Sequence, residues 1–184
     1  MQNSMNLVLA EISQAISNTD LEGYEEFLDL IKKDNTKVVC IGAGRVGLAM
    51  RGFAMRLGHM GIESYFLGDT TVPRTGLGDL MLVGSGSGST ASILKMVEVA
   101  HEKGLKIGLV TATENSPMGE IAKSKVILKT QLKNSEDDPL TSIQPMTTLF
   151  EQTLGIFLDA TVLDLMVKFN ETSETMLKRH NVIE

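Results

Sequence analysis

Between residues 37 and 128 short apolar runs alternate with helical stretches, and this alternation restricts the fold more than any other feature of the chain. Strand-like runs fall at residues 37–41, 64–67, 80–83, 107–110 and 126–128, with helical patterns at 46–59, 90–102 and 118–122. Runs of Val, Ile and Leu without polar alternation suit strands covered on both faces, and strands linked through helices run parallel. The expectation is an α/β chain, a mostly parallel sheet with helices on both sides. Two helical segments precede it: one carries Leu7, Ala10, Glu11, Gln14 and Ala15, the other Leu21, Tyr24, Phe27, Leu28 and Ile31. A polar loop is expected at 134–139, then a long helix over 146–169 and a short helical tail over 171–180. The 184 residues suit one domain, with a helical arm over 1–35, a sheet core over 36–130 and C-terminal helices over 145–180.

In a doubly wound sheet, ligands bind beyond the carboxyl ends of the strands, at the N-termini of the following helices. Two glycine-rich loops stand there. The first, Gly42-Ala43-Gly44-Arg45-Val46-Gly47, follows a strand and opens a helix, matching the dinucleotide pattern GxGxxG. That reading also wants an acid closing the second strand, and Asp69 is only roughly placed for it. Glycines there also permit a tight turn and close helix–strand packing without any cofactor.

The second loop is Gly84-Ser85-Gly86-Ser87-Gly88-Ser89-Thr90, again between a strand and a helix. Its glycines let the backbone curl, and Ser85, Ser87, Ser89 and Thr90 offer hydroxyls at close intervals. Backed by a helix N-terminus, such groups cradle a dianionic phosphate without Lys or Arg. A monophosphate ligand uses this second cradle, whereas a dinucleotide does not need it. The formal net charge of -6 argues against nucleic acid as a partner and agrees with a cradle built from local donors.

The long helix supplies a candidate catalyst. Glu151 shares a helical line with Leu158, Val162 and Phe169, with Leu154 and Leu165 nearby. A carboxylate on an apolar face is either paired or held in a cavity, because burying it alone is costly. Such an acid suits proton transfer, although a helix-start carboxylate facing water is the plain alternative. Gln152 either meets a substrate hydroxyl or faces solvent. Of the histidines, His59 ends a helix, His101 reads as surface, and His180 reaches a site only if the tail folds back or crosses to a neighbour. The lone Cys40 fits a reducing cytosol, no secretory signal is evident, and no stretch approaches the ~18–20 apolar residues of a membrane span. The chain is therefore expected in the cytoplasm.

These residues together resemble the SIS (sugar isomerase) domain family, and within it the 6-phospho-3-hexuloisomerases. The resemblance rests on Gly42-Ala43-Gly44-Arg45, Phe53-Ala54-Met55-Arg56-Leu57, Ser85 to Thr90, Gln144-Pro145-Met146, Leu149-Phe150-Glu151-Gln152 and Arg179-His180, in the expected order over nearly the whole chain. It implies a three-layer sandwich around a five-stranded parallel sheet and a homotetramer without metal or nucleotide cofactor. The implied reaction is reversible conversion of 3-hexulose 6-phosphate to fructose 6-phosphate, in the ribulose monophosphate route of formaldehyde fixation. By the same resemblance Ser85, Gly86, Ser87, Gly88, Ser89 and Thr90 bind the phosphate, and Gly44 and residue 46 line the sugar. Glu151 is the proton acceptor, and His180 assists from a neighbouring subunit. The chain departs from the family at Val46, where a serine usually holds substrate, at Ser89, where an acid is usual, and in its last four residues. Another SIS-type isomerase, for instance of arabinose 5-phosphate, and a non-catalytic phosphosugar sensor remain open at this point. The ~35 residues ahead of the sheet are too short and too weakly basic to be a convincing DNA-binding unit for such a sensor.

Overall fold

The strands that the apolar runs predict pair edge to edge in a computed structural model that describes residues 1–34, 36–131 and 142–183. They are β1 (Val38–Gly42), β2 (Ser64–Phe66), β3 (Leu80–Gly84), β4 (Lys106–Thr111) and β5 (Ser124–Ile127). All pairs are parallel and the order is β2-β1-β3-β4-β5. The helices are α1 (Gln2–Ser17), α2 (Tyr24–Leu30), α3 (Gly44–His59), α4 (Ala91–Glu102), α5 (Pro117–Ile121), α6 (Thr148–Lys168) and α7 (Ser173–Leu177). The polar loop expected at 134–139 lies outside the described residues.

The two-residue period of the strands divides the core between two faces. Val38, Cys40, Leu80, Leu82, Val110 and Val126 point to one side, where Phe27 of α2, Met50, Phe53 and Leu57 of α3, and Phe150, Leu154, Leu158 and Leu165 of α6 close over them. Ile41, Met81, Val83, Ile107 and Leu109 point to the other, under Ile93 and Val97 of α4 and Met118 of α5. The result is a three-layer sandwich. Gly108 belongs to the first face because Phe27 lies on it: a Cβ there would stand 3.3 Å from the Phe27 ring and 2.8 Å from Leu82. Burial also pushes the Cys40 thiol far above its usual range, so it behaves as an apolar filler.

Several boundaries differ from the periodicity, each for a local reason. The second helix begins at Tyr24 rather than residue 21, because Gly23 lies flat against β5; a Cβ on it would stand 2.1 Å from the Lys125 carbonyl oxygen. The fifth strand starts at Ser124, two residues early, as a serine whose hydroxyl donates to the Gly23 carbonyl at 2.8 Å can be buried. Helix α6 starts at Thr148 rather than 146, since Met146 sits in the left-handed region at φ 60 and turns the chain. The tail is helical only over Ser173–Leu177, where Thr172 and Thr175 form a reciprocal cap. Helix α1 touches the body chiefly through Ile12, Ala15 and Leu149 of α6.

This strand order places the functional region. From β1 the chain winds outward to β2, and from β3 it winds the opposite way to β4 and β5. The crevice where the winding reverses opens beyond the carboxyl ends of β1 and β3.

Candidate active site

Gly42 and Gly84, the last residues of β1 and β3, stand opposite each other, and the Val46 side chain is wedged against both. A Cβ on either glycine would fall 2.9 Å from Val46 Cγ1. Both strands can therefore end close to α3 only as glycine. The cleft beyond them has a volume of about 690 Å³. Three helix starts reach it: Gly44 and Val46 of α3, Thr90 and Ile93 at α4, and Thr147, Thr148 and Glu151 at α6. None of the three N-cap side chains caps its own helix, so the first-turn N–H groups remain available. Each helix start carries roughly half a positive charge, which suits this cleft to an anion even in an acidic chain.

The second glycine loop forms a tight, internally bonded turn. Gly88 N–H donates to the Ser85 carbonyl at 3.1 Å, Ser89 N–H to the Ser87 hydroxyl at 3.3 Å, and Gly88 takes the left-handed φ of 58. Behind it, Thr111 and Thr113 hydroxyls donate to the Gly86 carbonyl at 3.1 and 2.9 Å and fix that peptide. Ser85 is 5% exposed, and its hydroxyl has no partner among the described residues. Ser87 and Ser89 are exposed and Thr90 half-buried at the rim. Gly86 lies on Phe150, where a Cβ would meet the ring at 3.2 Å, so the cradle rests on the helix turn that carries Glu151.

The Glu151 side chain is 15% exposed. Its Oε1 accepts from the Thr147 hydroxyl at 3.1 Å, and its Oε2 lies 2.9 Å from Arg45 Nη1. Leu154, Leu158, Val162 and Leu165 are buried along the same helix, as its periodicity predicts. The entry to α6 is fixed from α1: both Glu11 carboxylate oxygens accept from the segment ahead of it, from the Ser142 hydroxyl, the Ile143 N–H and the Gln144 amide at 2.7, 2.8 and 2.9 Å. The carboxylate is thus held in a walled cleft beside donors for an anion, an arrangement able to move a proton on a tethered substrate.

The structure brings Gly44, Val46, Ser85, Gly86, Ser87, Ser89, Thr90 and Glu151 to one cleft. Gly88 shapes the turn from beneath, against Ser116. Within one chain His180 is not there. Its ring stacks on His59 at 5.1 Å between centroids, at the far end of α3. That helix has 16 residues, so the two ends stand ~24 Å apart at ~1.5 Å per residue. The tail is pinned at that end by Glu171, which accepts from Lys33, Thr175 and Arg179, while Arg179 also donates to the His59 carbonyl at 3.0 Å. Those donors hold the Glu171 carboxyl down at about 2. Desolvation, with the charges of Arg56 and His180, holds the His59 imidazole below its usual value. Asp69 pairs with Arg51 at 2.5 Å and lies outside the cleft lining. Gln152 points its Oε1 into a buried position with no partner among the described residues, also outside that lining.

Sequence reasoning missed three contributors. The Arg45 side chain carries no signal of its own in the first glycine loop, and nothing in spacing alone pairs it with a residue 106 positions on. Thr147 and Glu11 act through tertiary contacts without a local signature. Among the described residues, no group of three or more His, Cys, Asp or Glu is placed to hold a metal, and no helix is long and apolar enough to cross a membrane.

No protein-family model matches the chain. A 3-hexulose-6-phosphate isomerase of Bacillus subtilis is 34% identical over 177 residues, covering 96% of this chain and 95% of its own length. One from Mycobacterium gastri is 34% identical over 182 residues, covering 99% and 90%. A crystal structure of a Methanococcus jannaschii protein, for which a 3-hexulose-6-phosphate isomerase function was inferred, superposes with a TM-score of 0.81 at 30% identity, covering 99% of each chain.

Proposed function

The chain belongs to the 3-hexulose-6-phosphate isomerase family of phosphosugar isomerases, and from that premise we propose that its reaction is the reversible conversion of 3-hexulose 6-phosphate to fructose 6-phosphate. One observation carries the reading: a half-buried carboxylate, Glu151, shares a cleft with the serine-rich cradle at residues 85–90. The phosphate lies against the α4 start, held by first-turn N–H groups and by the hydroxyls of Ser85, Ser87, Ser89 and Thr90. Binding energy at that distant end positions the reacting carbons. Glu151 takes the proton from C2 of the 3-ketose, and the C–H electron pair becomes the C2=C3 bond of an enediolate as the carbonyl pair moves onto O3. The O2 proton passes to O3, the carbonyl re-forms at C2, and Glu151 returns its proton to C3. No atom is gained or lost.

The wider setting is proposed on the same ground. The reaction serves the ribulose monophosphate route of formaldehyde fixation in the cytoplasm, with a small sugar phosphate rather than nucleic acid as partner. A homotetramer is part of the same proposal; exposed apolar side chains on two packed helices, Leu48 and Met55 of α3 and Leu163 and Val167 of α6, offer surface for self-association. Assembly also gives His180 its route to a site, that of a neighbouring copy. Formation of fructose 6-phosphate from 3-hexulose 6-phosphate, followed by a coupled assay, tests the reading. Glu151→Gln lowers kcat by at least ~1000-fold while inorganic phosphate still binds within a few-fold of wild type. Full turnover by that variant rejects the assignment.

A further inference from the structure

Moving a carbonyl by one carbon places negative charge on a sugar oxygen, and the cleft must answer that charge with a donor beside the reacting carbons. On the reading above the hydroxyls and N–H groups around residues 85–90 hold the phosphate, and the first-turn N–H groups of α3 and α6 are neutral donors that carry no full charge. Glu151 is itself anionic. Among the described residues lining the cleft, Arg45 is the one cationic side chain, and its guanidinium already stands 2.9 Å from Glu151 Oε2. We propose that Arg45 is the electrophilic catalytic residue of this site, contacting the sugar oxygens at C2 and C3 and stabilising the enediolate. This inference rests on the isomerase reading above.

Three features support the assignment. Arg45 stands in the first turn of α3, directly after Gly44, which takes the left-handed φ of 55, and both residues line the cleft. Its side chain is 59% exposed against 15% for Glu151, so the guanidinium is the partner free to adjust to an arriving sugar while the carboxylate stays held by Thr147. A guanidinium has five N–H donors in a plane; Nη1 is engaged with Glu151 and, at 3.4 Å, with the Thr148 hydroxyl. The Nη2 and Nε donors, without a partner among the described residues, remain to reach the same substrate that the carboxylate addresses. The ion pair thus holds base and electrophile side by side across two adjacent carbons. During the step the C–H pair shifts into the C2=C3 bond, the carbonyl pair moves to O3, and Arg45 bears the resulting charge without giving up a proton.

The test uses Arg45→Gln and Arg45→Lys in the full chain, with two readouts on each. One is loss of the C3 proton signal of fructose 6-phosphate in D2O, which reports proton removal alone. The other is the inhibition constant of inorganic phosphate. Arg45→Gln should slow exchange and kcat together by ~100- to 1000-fold and leave the phosphate constant within ~3-fold. Arg45→Lys should recover at least ~10-fold of the loss, since a charge returns without the planar fork. Unchanged exchange in Arg45→Gln overturns the role, as does a loss confined to KM that parallels weaker phosphate binding. Wild-type protein that neither exchanges nor turns over overturns the isomerase reading and this inference with it, so the two failures are distinguishable.

Discussion

Replacing Ser85 with alanine should move stability and binding in opposite directions. The hydroxyl is enclosed in a side chain only 5% exposed and has no partner among the described residues. An unsatisfied buried hydroxyl costs ~1–3 kcal/mol, and removing it relieves that cost at the expense of one oxygen's packing. The free Ser85→Ala protein should gain about 1 kcal/mol, which for a chain of this length raises Tm by ~2–4 °C. On the proposed reading the same hydroxyl donates to a charged phosphate in the complex, a bond worth ~1.5–3 kcal/mol, so Kd for fructose 6-phosphate should rise by ~10- to 150-fold. At a concentration ~100 times the wild-type Kd, ligand stabilises the wild type by ~2.7 kcal/mol and the variant by no more than ~1.4. Thermal melts with and without fructose 6-phosphate read both effects in one experiment. A variant with lower Tm than wild type and an undiminished ligand shift would refute the reasoning, since Ser85 would then be a satisfied structural residue.

Two other perturbations probe the frame around the site. Gly88→Ala should cost ~2–4 kcal/mol in denaturant unfolding, because φ is 58 and the new methyl would lie 2.2 Å from Ser116 Oγ. Adding Ser116→Gly should return the crowding part and leave the ~1–2 kcal/mol conformational part, and full additivity of the two changes would count against the contact. Glu171, held at about 2 against an ordinary 4.5, contributes stability that is complete above pH 4.5 and lost as pH falls through about 2. Glu171→Gln should therefore melt below wild type at neutral pH and converge with it near pH 2; a gap that persists unchanged at pH 2 would contradict the pairing with Lys33, Thr175 and Arg179.

The sheet was legible because its central strands β1 and β3 are unbroken apolar runs, a pattern that depends on few distant contacts. Its edges were not, since Ser124 and Gly23 take their positions from each other across 101 residues of chain. The same division holds at the cleft. That Ser85, Ser87, Ser89 and Thr90 stand at a strand-to-helix turn facing the cleft could be read from local spacing, and the burial of the helix face that carries Glu151 from the apolar line it shares. The Arg45–Glu151 pair, the Glu11 clamp on the approach to α6, and the seating of Gly86 on Phe150 are all products of tertiary geometry. The separation of His180 from its own cleft also needed the length and direction of α3 to become visible.

The cradle at residues 85–90 consists of hydroxyls and peptide groups, none of which gains or loses a proton in the physiological range. As a receptor it is blind to acidity. Whatever pH dependence capture displays must come from the guest, whose second phosphate ionisation lies near pH ~6, or from the groups that handle the carbon skeleton. A phosphate guest that stays fully ionised across the titrated range would leave only those groups to respond to pH.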